Sequence, residues 1–284
     1  MKIYYVDGKF IPADQAVIPV DDLAILRGYG VCDIIRTYKG RPYFFLEHIK
    51  RLENSAKEIG LPIPWKTKDI IDIVLETLKR NESIDEVNIR IIITGGSSSD
   101  FFYPQGHPRL IILITDIHKL PESWYTKGVK VITHPLERAL PDAKVISYIP
   151  AAMALRQAKE TGAIEAIYIN RKKEVLEGTT SNLFAFFKDT LVTPLDGVLK
   201  GITRQAILSI AKKIYPTRET SIPLKQLLTA DEVFISGTNK CIVPVIQVDD
   251  TKIGTGMPGQ NTLKLIEELE KHALEFMDTA SDVL

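Results

Sequence analysis

One lysine, Lys144, stands in the short and mostly apolar run Pro141-Asp142-Ala143-Lys144-Val145-Ile146-Ser147-Tyr148. A helical pattern follows at once over residues 150–160 and is stopped by Thr161-Gly162. Lys144 is therefore placed where an extended segment turns into a helix, and such junctions often open onto a cleft. A lysine held there loses solvation, which lowers its pKa and frees the amine to form a Schiff base with a carbonyl. A lone lysine is ordinarily a solvated surface charge, so the argument needs the groups around it. Glu177 follows a strand-like run and precedes Gly178-Thr179-Thr180-Ser181-Asn182. A carboxylate buried there needs a cationic partner, and a protonated ring nitrogen would serve. Three further features suit a small anion such as a phosphate. Leu199-Lys200-Gly201-Ile202-Thr203-Arg204 places a glycine and then a capping threonine at a helix start, where backbone N–H groups and the helix dipole favour negative charge. Ser236-Gly237-Thr238 offers hydroxyls and a close-approach glycine after a strand, and Arg51 lies one helical turn past Glu47-His48. Taken singly these are a capping threonine, a turn glycine and a solvated arginine.

The elements that must position these groups can be read from periodicity. Residues 3–6 and 9–11 flank Asp7-Gly8, which favours a tight hairpin turn. Val20 to Gly30 ends in Gly28-Tyr29-Gly30, the mark of a bent, closely packed backbone. Residues 31–38 and 43–46 read as strands. Residues 47–60 read as a helix, with Ile49, Leu52, Ala56 and Ile59 at 3,4 spacing and Gly60 at its C-terminus. A second helix spans 67–79, and β-branched strands span 87–94 and 110–115 around the loop Gly95-Gly96-Ser97-Ser98-Ser99-Asp100. A polar stretch near 118–122 reads as a linker. Beyond it come strands at 129–133, 165–170, 174–177, 182–187, 190–193 and 233–238, a helix at 203–213 capped by Thr203, and a final helix at 260–276. Strands and helices cluster within each half, which favours two α+β or mixed domains over a doubly wound sheet.

Composition bounds the function. The 284 residues carry 36 Lys and Arg against 36 Asp and Glu, so net charge gives no reason to expect nucleic acid or an acidic membrane as partner. The two cysteines, Cys32 and Cys241, make no disulfide framework, which favours a reducing cytosol. Neither a signal peptide nor a membrane-length apolar run is expected. No metal-binding motif stands out.

Together, Glu47-His48-Ile49-Lys50-Arg51-Leu52, Lys144, Glu177 through Phe184, Gly201-Ile202-Thr203-Arg204, and Asp231 through Thr238 with Pro244 resemble the class IV, or fold type IV, pyridoxal-phosphate aminotransferases. That family holds branched-chain aminotransferases, D-amino acid transaminases and aminodeoxychorismate lyases. The resemblance runs from near residue 7 to near residue 250 in family order. It implies an α+β fold like that of D-amino acid aminotransferase: a small N-terminal α/β domain at 1–117, a linker at 118–122, and a larger β-rich cofactor domain at 123–284. It further implies that Lys144 bonds pyridoxal 5'-phosphate and then shuttles the substrate Cα proton, and that Glu177 pairs with the ring nitrogen. Arg51, Gly201, Ile202, Thr203 and Thr238 would hold the phosphate, Leu199 would pack on the ring face, and Tyr148 would reach the phenolic oxygen. The family expectation is a homodimer.

On substrate the resemblance divides. D-amino acid transaminases carry an Arg-x-His pair after the strand that ends here at Thr94, and branched-chain enzymes carry another arginine segment there. This chain has Thr94-Gly95-Gly96. Two arginines are placed to take over substrate carboxylates: Arg27 beside the glycine-bent turn, and Arg90 inside an isoleucine-rich strand, where a charge must face solvent or a cavity. The expectation is amino transfer from D-amino acids such as D-Glu or D-Ala to a 2-oxo acid such as 2-oxoglutarate. Branched-chain L-amino acids come second and aminodeoxychorismate lyase activity third.

Overall fold

The computed structural model describes residues 1–81 and 86–279, with side chains through Phe276 in the last helix. The chain forms two compact units. The first holds Met1–His118, Asp142–Ser147 and the chain from Phe276; the second holds Lys119–Pro141 and Tyr148–Glu275. The backbone therefore leaves the second unit just after Pro141, places six residues around Lys144 with the first, and returns at Tyr148.

The first unit opens with the expected hairpin, β1 (Ile3–Val6) and β2 (Lys9–Pro12). Asp7 and Gly8 both take positive φ, 47° and 90°, as a twist-matched two-residue turn requires. A short helix α1 (Leu23–Arg27) precedes β3 (Gly30–Tyr38) and the two-residue β4 (Arg41–Pro42). Then come α2 (Phe45–Glu58), α3 (Thr67–Lys79), β5 (Val87–Thr94) and β6 (Arg109–Asp116). The strand expected at 43–46 does not form. Phe44 reverses the chain at φ 51°, and Phe45 opens the helix because it extends the buried series Phe45, Ile49, Leu52, Ala56 by one turn. Gly60, in the left-handed region at φ 67°, follows that helix as expected. The six strands order as β2-β1-β6-β5-β3-β4. One sheet face, carrying Tyr5, Val31, Ile35, Ile89, Ile91, Ile93, Leu110, Ile112 and Ile114, shares a core with Ile49, Leu52, Ile70 and Val74 of the two helices.

The second unit begins with α4 (Ser123–Thr126) and β7 (Val129–Pro135), followed by α5 (Ile149–Glu160). A run of strands follows: β8 (Glu165–Ile169), β9 (Glu174–Gly178), β10 (Asn182–Phe187) and β11 (Thr190–Thr193). Next are α6 (Ile202–Ala211), β12 (Thr217–Glu219), β13 (Ile222–Pro223) and α7 (Leu224–Leu227). The chain closes with β14 (Glu232–Gly237), β15 (Cys241–Val248), β16 (Thr251–Lys252) and α8 (Gln260–Thr279). These strands form one sheet in the order β12-β11-β10-β14-β15-β7-β8-β9-β13, with β16 on β15. Two sequence expectations are corrected here. Thr203 does not cap α6, because Gly201 occupies the N-cap position and Thr203 is already inside the helix. The strand β15, missed because Pro244 interrupts it, is central. Its pairing to β7 starts only at Val245↔Val129, so the N–H that Pro244 lacks is not needed there. Among the described residues no helix is long and apolar enough to cross a membrane.

Candidate active site

In the first unit, Lys144 is half-buried in an extended segment that borrows its hydrogen bonds from neighbours. Val145 bridges Val31 antiparallel, Cys32 N–H donates to the Lys144 carbonyl at 2.9 Å, and Ile146 N–H donates to Gly30 O at 3.1 Å. Only glycine fits at position 30, since a Cβ there would lie 2.6 Å from Ile93 O. The Lys144 N–H donates to Ser55 Oγ of α2 at 3.0 Å, and that hydroxyl donates to Arg51 O at 2.7 Å.

Arg51 projects from the same helix onto Asp33 of β3. Its Nε donates to Asp33 Oδ2 at 2.8 Å and its Nη2 to Oδ1 at 2.7 Å. His48, one turn earlier, places Nδ1 2.7 Å from Asp33 Oδ1. Asp33 is fully buried and His48 nearly so. Burial pushes the Asp33 carboxyl up, but Arg51 and His48 more than offset it and hold it well below the usual carboxylate range. Burial pulls the His48 imidazole down; Asp33 opposes that only in part, while Arg51 and Lys144 act with burial. The ring is thus neutral at pH 7 and donates a hydrogen bond from Nδ1–H to Asp33. The fork of Arg51 is thereby fixed by a bidentate partner.

Arg90 lies at mid-strand in β5, paired with Ile34 and Leu113, on the sheet face opposite the core isoleucines. It is half-buried on that face, with Cys32 and Ile92 on the same side. Burial, helped by Asp33, pushes the Cys32 thiol up against the pull of Lys144, Arg90 and Arg51. Arg27 is exposed at the end of α1, its guanidinium 5.9 Å from the Phe102 ring. Asp22 anchors that helix: it accepts from Ala24 N at 2.8 Å and from Thr94 Oγ1 at 2.8 Å. Gly28, at φ 64°, ends it.

In the second unit, Glu177 closes β9 and is buried. Its Oε2 accepts from Leu199 N at 2.9 Å and from Asn182 Nδ2 at 3.4 Å, while its Oε1 accepts from Arg138 Nη1 at 2.9 Å. Asn182 also donates to Leu199 O at 2.8 Å. Gly201 packs so close that a Cβ would sit 2.1 Å from Asn182 Oδ1. Glu177, Leu199, Gly201 and the start of α6, with Ile202 and Thr203, are therefore brought together, and α6 carries no side-chain cap. Thr238 follows β14, where Gly237 approaches Thr180 O. Beside it, Lys240 pairs with Glu165 at 3.0 Å and donates to Thr180 Oγ1 at 2.5 Å. Glu165 also accepts from Thr180 N at 2.6 Å and Thr179 Oγ1 at 2.9 Å, which fixes the turn after Glu177. The hydroxyl oxygens of Ser181 and Ser236 are buried without a hydrogen-bond partner among the described residues. Tyr148 stands exposed at the N-cap of α5. Tyr168, buried next to Glu177, has its phenol pushed up to about 12 by burial and then by that carboxylate.

Sequence reading missed Asp33, His48, Ser55, Arg138, Glu165 and Lys240. Asp33 carried a signal: strand alternation puts it on the face of Val31 and Ile35, where a charge must find a partner. Arg138 carried none, since its partner lies 39 residues away.

Residues 30–248 match the family described as amino-transferase class IV. The chain is 35% identical over 280 residues to a Methanocaldococcus jannaschii protein provisionally named branched-chain-amino-acid aminotransferase, with 95% of this chain and 96% of that one covered. It is 31% identical over 268 residues to a D-alanine aminotransferase of Listeria monocytogenes serotype 4b, with 92% of each covered. Among solved structures, the T.th. branched-chain amino acid aminotransferase with pyridoxamine 5'-phosphate superimposes with a TM-score of 0.89 at 28% identity, covering 96% of this chain and 94% of that one.

Proposed function

Because the chain belongs to the class IV aminotransferases, whose cofactor is pyridoxal 5'-phosphate, we propose that it moves an amino group from a D-amino acid such as D-Glu or D-Ala to 2-oxoglutarate or a similar 2-oxo acid. The residues present fit the cofactor. An uncapped start of α6 and the hydroxyls of Ser181 and Ser236, unpartnered among the described residues, suit a phosphate, and the buried carboxyl of Glu177 suits a protonated ring nitrogen. When bound, the cofactor supplies the electron sink for the substrate carbanion. Lys144 would be the covalent attachment and the base that moves the Cα proton. Glu177 would keep the ring nitrogen protonated; Arg51, Gly201, Ile202, Thr203 and Thr238 would hold the phosphate; Leu199 would cover the ring and Tyr148 would meet the phenolic oxygen.

The substrate reading is supported by the place of Arg90, half-buried on the sheet face that also carries Cys32, whose N–H bonds the Lys144 carbonyl. A planar fork there suits a carboxylate, and Arg27 is the second such group. Removing a contact of this kind costs about 2–4 kcal/mol, or about 30- to 1000-fold in efficiency. Arg90→Leu and Arg27→Leu are each expected to weaken the D-Glu half-reaction by that order while the lysine-linked cofactor keeps its absorbance. The branched-chain reading is favoured instead by the apolar neighbours Ile34, Ile92 and Leu113 around Arg90. Half-reaction spectra with D-Glu, D-Ala, L-Leu and L-Glu decide: faster consumption of L-Leu than of D-Glu rejects the D-specific reading.

The working form in this reading is a homodimer in the cytosol; exposed Ile25, Phe101, Phe102 and Tyr103 support the dimer. Full activity from a monomer at high dilution in ultracentrifugation rejects it.

A further inference from the structure

The segment carrying Lys144 is held to its strand neighbour by the bridge between Val31 and Val145. Its position is set further by bonds to the carbonyl and to the N–H of Lys144. The carbonyl is taken by Cys32 N–H of β3, and the N–H is taken by Ser55. Ser55 is fully buried in α2. A serine inside a helix commonly donates to the carbonyl four residues back, and that bond alone carries no function. Here the same oxygen also accepts the amide of Lys144, 89 residues away in sequence. One hydroxyl thereby ties the backbone of Lys144 to the backbone of Arg51, while Asp33 of the neighbouring strand fixes the Arg51 side chain.

We propose that Ser55 is the positioning residue for Lys144: it sets the backbone from which the amine is presented, and registers it against the helix that carries Arg51. The inference rests on the reading that Lys144 bonds the cofactor. On its other side the Lys144 main chain keeps the carbonyl bond and the bridge at its neighbour. Loss of the hydroxyl therefore loosens the Lys144 amide from α2 while the carbonyl bond and the bridge stay in place. The expected result is a misplaced amine in a folded chain, because alanine is the better helix former at that position.

The test uses the full-length, cofactor-free chain with added pyridoxal phosphate. The amine condenses with the aldehyde and water leaves; borohydride then traps the link, which is located by peptide mass. Ser55→Ala is expected to slow linkage at Lys144 about tenfold, while affinity for pyridoxamine phosphate, which has no aldehyde, stays within about twofold. Ser55→Thr, which keeps the hydroxyl, is expected to recover most of the rate. A merely structural role would lower the melting temperature and leave the linkage rate alone. Should the alanine variant not fold, Ser55→Cys gives the same comparison with a weak acceptor of similar size. A parental linkage rate in either folded variant overturns the role of Ser55 and leaves Lys144 in place. A parent chain that never links at Lys144 overturns the reading of Lys144 itself.

Discussion

The ion cluster of the first unit and that of the second are built with opposite polarity. Around Asp33 the anion is the holder: fully buried, it accepts a bidentate arginine and a neutral imidazole, and the group proposed to meet the phosphate is the cation, Arg51. Around Glu177 the cation is the holder: Arg138 takes one carboxylate oxygen, and the group proposed to meet the ring is the anion. The holders differ in how closed they are. Asp33 has no exposed surface, whereas the Arg138 side chain is 22% exposed and also donates to Pro141 O and Leu140 O at 3.1 Å. Those carbonyls belong to the last residues before the chain runs on to Lys144. The first cluster is thus a closed structural lock, and the second is a tether in which the other oxygen of the anion accepts from the Leu199 amide and the Asn182 side chain. A buried charge freed from its partner is costly in either place, but only an anion is relieved by a cationic ring.

The largest effect is expected where neither cluster is touched. Lys144→Ala should abolish transamination while the fold, read by circular dichroism and melting, remains; a half-reaction at the parental rate would remove Lys144 from the mechanism. Next come the two carboxylates. Asp33→Asn strips Arg51 of its charge partner inside the core and should destabilise the chain by about 3–5 kcal/mol in urea titrations. Glu177→Gln should lose about a hundredfold in kcat at a smaller cost in stability, because the amide still accepts from Leu199 N–H. If the two variants lost stability equally, the contrast between lock and tether would collapse. Arg138→Leu sharpens it: the cofactor-free chain should lose about 2 kcal/mol, and added pyridoxal phosphate should restore more stability than it gives the parent. Equal stabilisation of both would show that Glu177 does not meet the ring.

The smallest effect is a pH slope. His48 takes up a proton in the unfolded chain near 6.5 but only at lower pH when folded. Between those values the unfolded state binds more protons, so stability falls as pH drops through that window. Asp33, depressed in the folded chain, adds stability that is present above its unfolded value of about 3.9 and is lost only below it. Melting curves from pH 7 to 5 should therefore show a modest decline that His48→Asn flattens, and an unchanged slope in that variant would refute the neutral imidazole.

Much of this molecule is decided within a few residues of chain. Asp7-Gly8 sets a hairpin, the 3,4 spacing of Ile49, Leu52 and Ala56 sets a buried helix face, and Val145 before Pro150 sets the junction that carries Lys144. Those patterns, with Glu177 and the Gly201 helix start, are legible because backbone preference and apolar period act locally. What tertiary structure alone decided is which polar group answers which. Arg138 finds Glu177 across 39 residues, Lys240 finds Thr180 across 60, and Ser55 finds Lys144 across 89. Nothing local marks those partners, because each meeting depends on sheet register and on where a helix lies across a strand. Electrostatic and hydrogen-bond energies fall off over a few ångströms in space, and separation along the chain does not enter them.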